Sequence, residues 1–219
     1  MSVGVDVTVW RVVVVALATS AAPASAQWTL RGTGLVSIMK HRVDAGYGVE
    51  PSSGVVGGSE VTVGAGDRVT VHLVAQAGSL KAQAPGAIAR DVAEVAARLD
   101  AVTFSWLTLQ VGAGHRTYST LLARQAWSMI TVGAEGRLAF SETGVSGTVR
   151  GAILPGVWVS GLDRPDLAFT GAAGMEYRPG HAVVALVYAL ERYRFPAGAG
   201  AERREQTAAL TLKVGWSLH

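Results

Sequence analysis

The chain has 219 residues, 49% of them hydrophobic, a formal net charge of +3 at pH 7 and no cysteine. This length suits one domain or two small ones, and the missing cysteines exclude a disulfide framework. The mild positive charge is not gathered into a basic stripe along the sequence, so a nucleic-acid binder has no electrostatic footprint here.

Residues 1–26 read as an export signal. Arg11, opposed by Asp6, is the only basic residue of the N-terminal region; "VVVVALA" (Val12–Ala18) is a short apolar run, and Ala24, Ser25 and Ala26 form a small-residue cleavage junction. The mature chain is therefore expected to begin at Gln27. Seven apolar residues followed by Thr19, Ser20 and a proline are too few to cross ~30 Å of hydrocarbon as a helix. The mean hydropathy of +0.31 is high for a soluble secreted domain. After residue 26, however, no run approaches the ~18 apolar residues of a membrane helix. The apolar content is dispersed, which points to strands with one oily face.

That alternation recurs in chain order. Trp28, Leu30, Val36 and Ile38 oppose Thr29, Arg31, Thr33 and Ser37. Segment 54–64 fits less well. Val69, Val71, Leu73 and Ala75 then oppose Thr70, His72 and Gln76. "RDVAEVAARLDAV" (Arg90–Val102) has two readings: its Ala, Glu, Arg and Leu favour helix, but four of its five charges, Arg90, Glu94, Arg98 and Asp100, share one parity, opposite to Val95, Ala97, Leu99 and Ala101. Leu107, Leu109, Val111 and Ala113 oppose Thr108, Gln110, Gly112, Gly114 and Arg116. Ile130, Val132, Ala134, Leu138 and Phe140 oppose Thr131, Gly133, Glu135 and Arg137. Val149, Ile153 and Val157 oppose Thr148 and Arg150; Leu167, Phe169, Ala173, Met175 and Tyr177 oppose Thr170 and Glu176. In 181–194, Val184, Leu186, Tyr188 and Leu190 oppose Glu191. Finally Ala208, Leu210, Leu212, Val214 and Trp216 oppose Thr207, Ala209, Thr211, Lys213 and Gly215.

Connections alternate in length. Tight ones fall at 64–67, 103–105, 141–144 and 178–181, where Gly, Pro, Asp and Ser supply turn chemistry. Longer ones are expected near 43–53, 79–89, 118–125, 159–166 and 195–203. Short turns at one end and longer loops at the other are the layout of an outer-membrane barrel. Taking Arg90–Val102 as a strand gives ten strands, an even number that preserves this rhythm; leaving it out gives nine. The expected fold is an all-β, antiparallel transmembrane up-and-down barrel over 27–219, with eight strands as the fallback. A soluble sandwich would hide the oily faces against each other and is the competing arrangement.

On the barrel reading, the inward charges are Arg31, Arg98, Arg137, Arg150 and Lys213 with Glu60, Glu94, Asp100, Glu135, Glu176 and Glu191, and His72 among them. A ten-stranded lumen is little wider than one that side chains fill, so these charges need partners or water. Trp28, Trp106, Trp127, Trp158, Tyr177, Tyr193 and Trp216 lie near strand ends and are expected to form the interfacial girdle.

Signals for chemistry are weak. His72 is a lone inward histidine. His115 shares the face of Leu107 and Leu109, Ser119 lies beyond the strand end, and no acid is spaced to orient the imidazole. The five histidines, at 41, 72, 115, 181 and 219, never come as close pairs, so no metal site or cofactor is expected.

From Gln27 to His219 the layout resembles the small outer-membrane barrels of Gram-negative-type bacteria, the OmpA/OmpX-like class. The resemblance lies in the "ASAQ" junction, the alternating strands and the short/long connections. Ten strands is similar to the omptin proteases, whose paired acidic and Asp–His catalytic groups have no identified counterpart here. Barrels of this class usually finish on an aromatic residue; this sequence ends "KVGWSLH", with Trp216 three positions before His219. The resemblance implies outer-membrane lipid and the barrel-assembly machinery as partners. The expected function is non-enzymatic: a structural role or a narrow channel for a small solute. A membrane-embedded hydrolase of lipid or peptide and a soluble secreted ligand-binding protein are the alternatives.

Overall fold

A computed structural model describes residues 27–46, 48–140, 144–198 and 201–218. The expected signal segment 1–26, most of the turn at 141–144 and His219 lie outside them. Period-2 patterning becomes ten strands: β1 (Trp28–Asp44), β2 (Val49–Ala65), β3 (Val69–Ala82), β4 (Arg90–Phe104), β5 (Leu107–Ser119), β6 (Arg124–Ala139), β7 (Val145–Val159), β8 (Leu167–Tyr177), β9 (Ala182–Gly198) and β10 (Ala201–Leu218). Each pairs antiparallel with its sequence neighbours, and β1 pairs with β10, as in Gly32↔Trp216, to close the barrel. Closure leaves no sheet edge, which is what a sheet needs where no water can satisfy free amides.

The ambiguous segment is strand β4, held by ladders on both sides: Ala97 pairs with Leu73 of β3 and with Ala113 of β5. Local helix preference amounts to a few tenths of a kcal/mol per residue. It yields to hydrogen-bond ladders on both sides, the β5 side broken only by a register shift at Val102/Phe104, and to inward partners for every charge on that face.

Tight turns occupy one end of the barrel. Gly66 and Gly180, in "GAGD" and "RPGH", both sit at φ 62°, where a Cβ would be strained. At the other end the connections are shorter than the sequence suggests. β1 runs to Asp44 and β2 begins at Val49, while β9 runs to Gly198 and β10 begins at Ala201, so the loops expected at 43–53 and 195–203 are mostly strand.

Even-numbered outward positions on β1 and β10, such as Val36, Ile38, Leu212 and Val214, are exposed, as are Leu73, Leu109 and Leu186 elsewhere. The aliphatic rows therefore face out of the cylinder and do not meet in a dry interior.

Register shifts occur at Val102/Phe104 in β4–β5, at Ala201/Arg203 in β9–β10 and at Ile130/Val132 in β6–β7, and the last of these changes which side chains face inward. Val132 pairs with Ile153 but Ile130 with Gly156, so Thr131 stands opposite both Leu154 and Pro155. This bulge reverses the parity of β7, and Pro155, which has no N–H to donate, is suited to it. Val157, expected outside, is buried inside, and Trp158 points out.

Inward glycines let neighbouring backbones approach closely. A Cβ on Gly58 would lie 2.2 Å from the Ala75 carbonyl oxygen and 2.7 Å from the Gln76 Cα. Those atoms are ladder backbone and cannot swing away. Gly58→Val is expected to abolish the compact, fast-migrating form on unheated denaturing gels; unchanged migration would contradict this account of β2–β3 closure.

Candidate functional site

The barrel's interior is where parity sends its ionised groups, and four layers can be followed from the turn end to the loop end. In the first, Glu176 of β8 collects cations from around the wall. Arg137 of β6 donates to it at 2.9 Å and also to the Ser146 hydroxyl at 2.9 Å, Arg31 of β1 stands 3.8 Å away, and Arg178 donates from just beyond β8.

The second layer is a relay of contacts from β10 to β5. Lys213 Nζ donates to Glu60 at 2.5 Å, and the other Glu60 oxygen lies 2.7 Å from His72 Nδ1. His72 Nε2 lies 3.2 Å from Asp100, which accepts from Arg98 at 2.7 Å and from Gln110 at 3.2 Å. Both ring nitrogens of His72 are thus engaged, Nδ1 also with Thr62.

In the third, Arg116 crosses the lumen. Its Nε donates to Glu94 of β4 at 2.9 Å, while Nη1 and Nη2 fork onto Glu191 of β9 at 2.6 and 3.1 Å. Gln76 donates to Glu94 and the Tyr193 hydroxyl to Glu191, each at 3.0 Å. Arg150 and Glu135 are register partners across β6–β7, but among the described residues neither makes an ion pair within 4 Å.

The fourth layer, toward the loops, is apolar and aromatic. Trp127 packs edge-on against Tyr193 at 5.0 Å, Phe195 at 6.0 Å and Tyr118 at 6.3 Å between ring centroids. Met39, Val56, Leu80, Val92 and Met129 complete a buried cluster around them. His41 stacks on Tyr118 at 4.4 Å. It contacts Glu205 at 3.1 Å and Arg90 at 3.3 Å, and Arg203 donates to Glu205. Offset and edge-to-face rings favour this arrangement beyond their simple burial.

The sequence-derived set is therefore divided. Glu60, His72, Asp100 and Arg98 meet with Lys213; Glu94 and Glu191 meet through Arg116; Arg31, Arg137 and Glu176 meet at the turn end. Among the aromatic residues, Trp28, Trp106, Tyr177 and Trp216 are exposed at the turn end, and Trp158 is exposed at the loop end with the Arg164 guanidinium 4.9 Å above its ring. Trp127 and Tyr193 are a correction. They are 1% and 3% exposed and belong to the interior cluster, not to a girdle. Parity carried that information: Trp127 is in phase with Thr131, and Tyr193 with Glu191. It also places Arg116 on the polar face of β5. His41 and Glu205 border the stretches expected as long loops, 43–53 and 195–203, whereas Arg90 opens β4 in phase with Glu94, Arg98 and Asp100, so parity already directs it inward. His115 does face outward, 3.2 Å from the Ser128 hydroxyl.

No protein-family profile matches the chain, and no curated protein sequence matches it. Solved structures do. The outer membrane protease OmpT from Escherichia coli superposes with a TM-score of 0.56 at 10% identity, over 90% of this chain and 98% of that one. The translocator domain of the autotransporter NalP from Neisseria meningitidis gives 0.44 at 12% identity, over 96% and 95%. Neisserial surface protein A gives 0.39 at 10% identity, over 88% and 98%. The fold is that of the outer-membrane β-barrels.

Proposed function

From a closed ten-stranded barrel that is oily outside and ion-paired inside, we propose that this protein is an integral outer-membrane barrel with a non-enzymatic role. The role is structural, with at most narrow passage of small solutes. Residues 1–26 direct export and are removed, the barrel-assembly machinery inserts the remainder, and the aliphatic rows face lipid. One observation carries the reading of the interior: Arg116 spans the lumen to Glu94 and Glu191 beneath the Trp127 cluster, so both a charge bridge and an aromatic plug stand across the axis. Ion pairs in a low-dielectric interior are costly to separate, and this one anchors strands β4, β5 and β9 together. The hydrolase alternative has less support. His72 has both nitrogens committed to carboxylates, and His115 faces outward.

Conductance in a planar lipid bilayer tests this. The wild-type barrel is expected to give no sustained current steps. Trp127→Ala, which empties the centre of the plug, is expected to give discrete steps or flicker, provided the barrel still refolds; Phe195→Ala is the milder second variant. Large, stable steps from the wild type would overturn the closed-lumen reading.

A further inference from the structure

The two rims of the barrel differ in chemistry. The turn end is ringed by exposed Trp28, Phe104, Trp106, Phe140, Tyr177 and Trp216. At the loop end, barrel closure instead brings Arg42 of β1 beside three arginines of the β9–β10 hairpin. Arg42 pairs with Gln206, and Gln206 with Arg192; one row further out, Asp44 pairs with Arg204, and Arg204 with Arg194. Strands lie ~4.8 Å apart and same-face neighbours ~6.8 Å apart along a strand. The four arginines thus cover a patch of roughly 10 by 7 Å. All four are exposed, and with Leu167 and Phe169 they line one groove. Lys40 lies one row nearer the oil, and the outward residues at and below its level on β10 and β9 are Ala208, Leu190, Leu210 and Tyr188.

The patch is undercompensated. Glu202 pairs with Arg204 at 2.9 Å and with Arg194 at 3.8 Å, and Asp44 flanks them, but among the described residues Arg42 and Arg192 form no ion pair. Clustered guanidinium groups repel one another unless an anion sits between them. Their planar forks match phosphate oxygens in pairs. A cluster on the outer wall, where the apolar belt ends, faces the headgroups of one leaflet, and Leu167 and Phe169 offer an apolar surface for the attached chains.

We propose that this patch binds a lipid of the loop-side leaflet whose headgroup carries two phosphate monoesters, with Arg42 and Arg192 as its main contacts and Arg194 and Arg204 completing the site. The proposal rests on the reading that the aliphatic belt lies in a membrane. Insertion of the wild-type barrel into neutral phosphatidylcholine vesicles tests that reading separately.

For the site itself, the refolded full-length mature barrel in neutral maltoside micelles is titrated with bis-phosphorylated lipid A and with the same lipid stripped of its phosphates. The phosphorylated form is expected to bind more tightly. Arg42→Gln with Arg192→Gln is expected to weaken it on the order of tenfold or more, from the usual contribution of basic residues at an anionic lipid surface. Arg124→Gln, an exposed cation on β6, should leave binding unchanged. These side chains lie outside the ladder, so folding is expected to persist; were the double variant not to refold, Arg192→Gln alone gives the reading. Equal affinity for the two lipids, or equal binding by wild type and the arginine variants, would overturn the proposal.

Discussion

Leu212→Arg is expected to block assembly of the barrel into lipid, while Thr108→Arg leaves a folded, heat-modifiable protein. Leu212 points outward in the middle of the β10 row, two positions from Leu210 and Val214, and all three are exposed. An arginine at mid-depth on the lipid face costs about 2–4 kcal/mol, and the penalty falls to ~0–1 kcal/mol near the interfaces. Leu109→Arg should therefore be milder than Leu212→Arg, because Leu109 sits one outward position from Leu107 at the turn end of β5, beside the aromatic rim. Thr108, one residue away, has the opposite parity and faces the polar interior. Urea-dependent folding into phosphatidylcholine vesicles measures all three. A graded order, Leu212→Arg worst and Thr108→Arg least, is the expected result; equal losses would mean that parity does not decide which side chains meet lipid.

Arg116→Met is the second large effect. Its side chain is 4% exposed, and its guanidinium is bound to two carboxylates, Glu94 and Glu191, whose side chains are 11% and 23% exposed. If the lumen is closed as proposed, removing the cation leaves both acids without a partner, a change that typically costs about 3–5 kcal/mol for a buried pair. The same principle gives an internal control. Arg116→Met combined with Glu94→Gln and Glu191→Gln removes charge on both sides and should recover much of the loss, since buried ion pairs are often replaceable as a unit. Unfolding midpoints in urea for the single and triple variants measure this. If Arg116→Met alone were as stable as wild type, the lumen would be wet enough to solvate the acids, and the closed interior would be wrong.

How far the sequence reached can be traced residue by residue. Where one face must meet oil and the other must not, alternation is strict and legible, as in β5 and β10; the count of ten strands followed from it once the charges of β4 were read by parity. It failed at Val157, because a bulge inserts a residue and reverses the phase, and nothing short of pairing register reveals a bulge. It failed differently at Trp127 and Tyr193. An aromatic residue near a strand end suggests an interface, yet the parity of both points inward, and phase decides where a strand side chain goes. The ends of the loops were misjudged because strands that project beyond the hydrocarbon carry polar residues on both faces, which reads as loop. The arginine patch was hidden for a different reason: Arg192, Arg194 and Arg204 meet across the β9–β10 hairpin in a stretch that reads as loop, and Arg42 joins them only through barrel closure between β1 and β10.

Which way the side chains point decides between a lipid-facing barrel and a water-soluble fold, and the absence of native cysteine makes it directly measurable. Single cysteines placed in turn at positions 208 to 216 and labelled with a nitroxide report collision with oxygen, which concentrates in hydrocarbon, and with a polar nickel chelate, which does not. In lipid vesicles, oxygen accessibility is expected to peak at 208, 210, 212 and 214 and to drop at 209, 211 and 213. A flat profile along these positions, or one with the opposite phase, would contradict a lipid-facing aliphatic wall around an ion-paired interior.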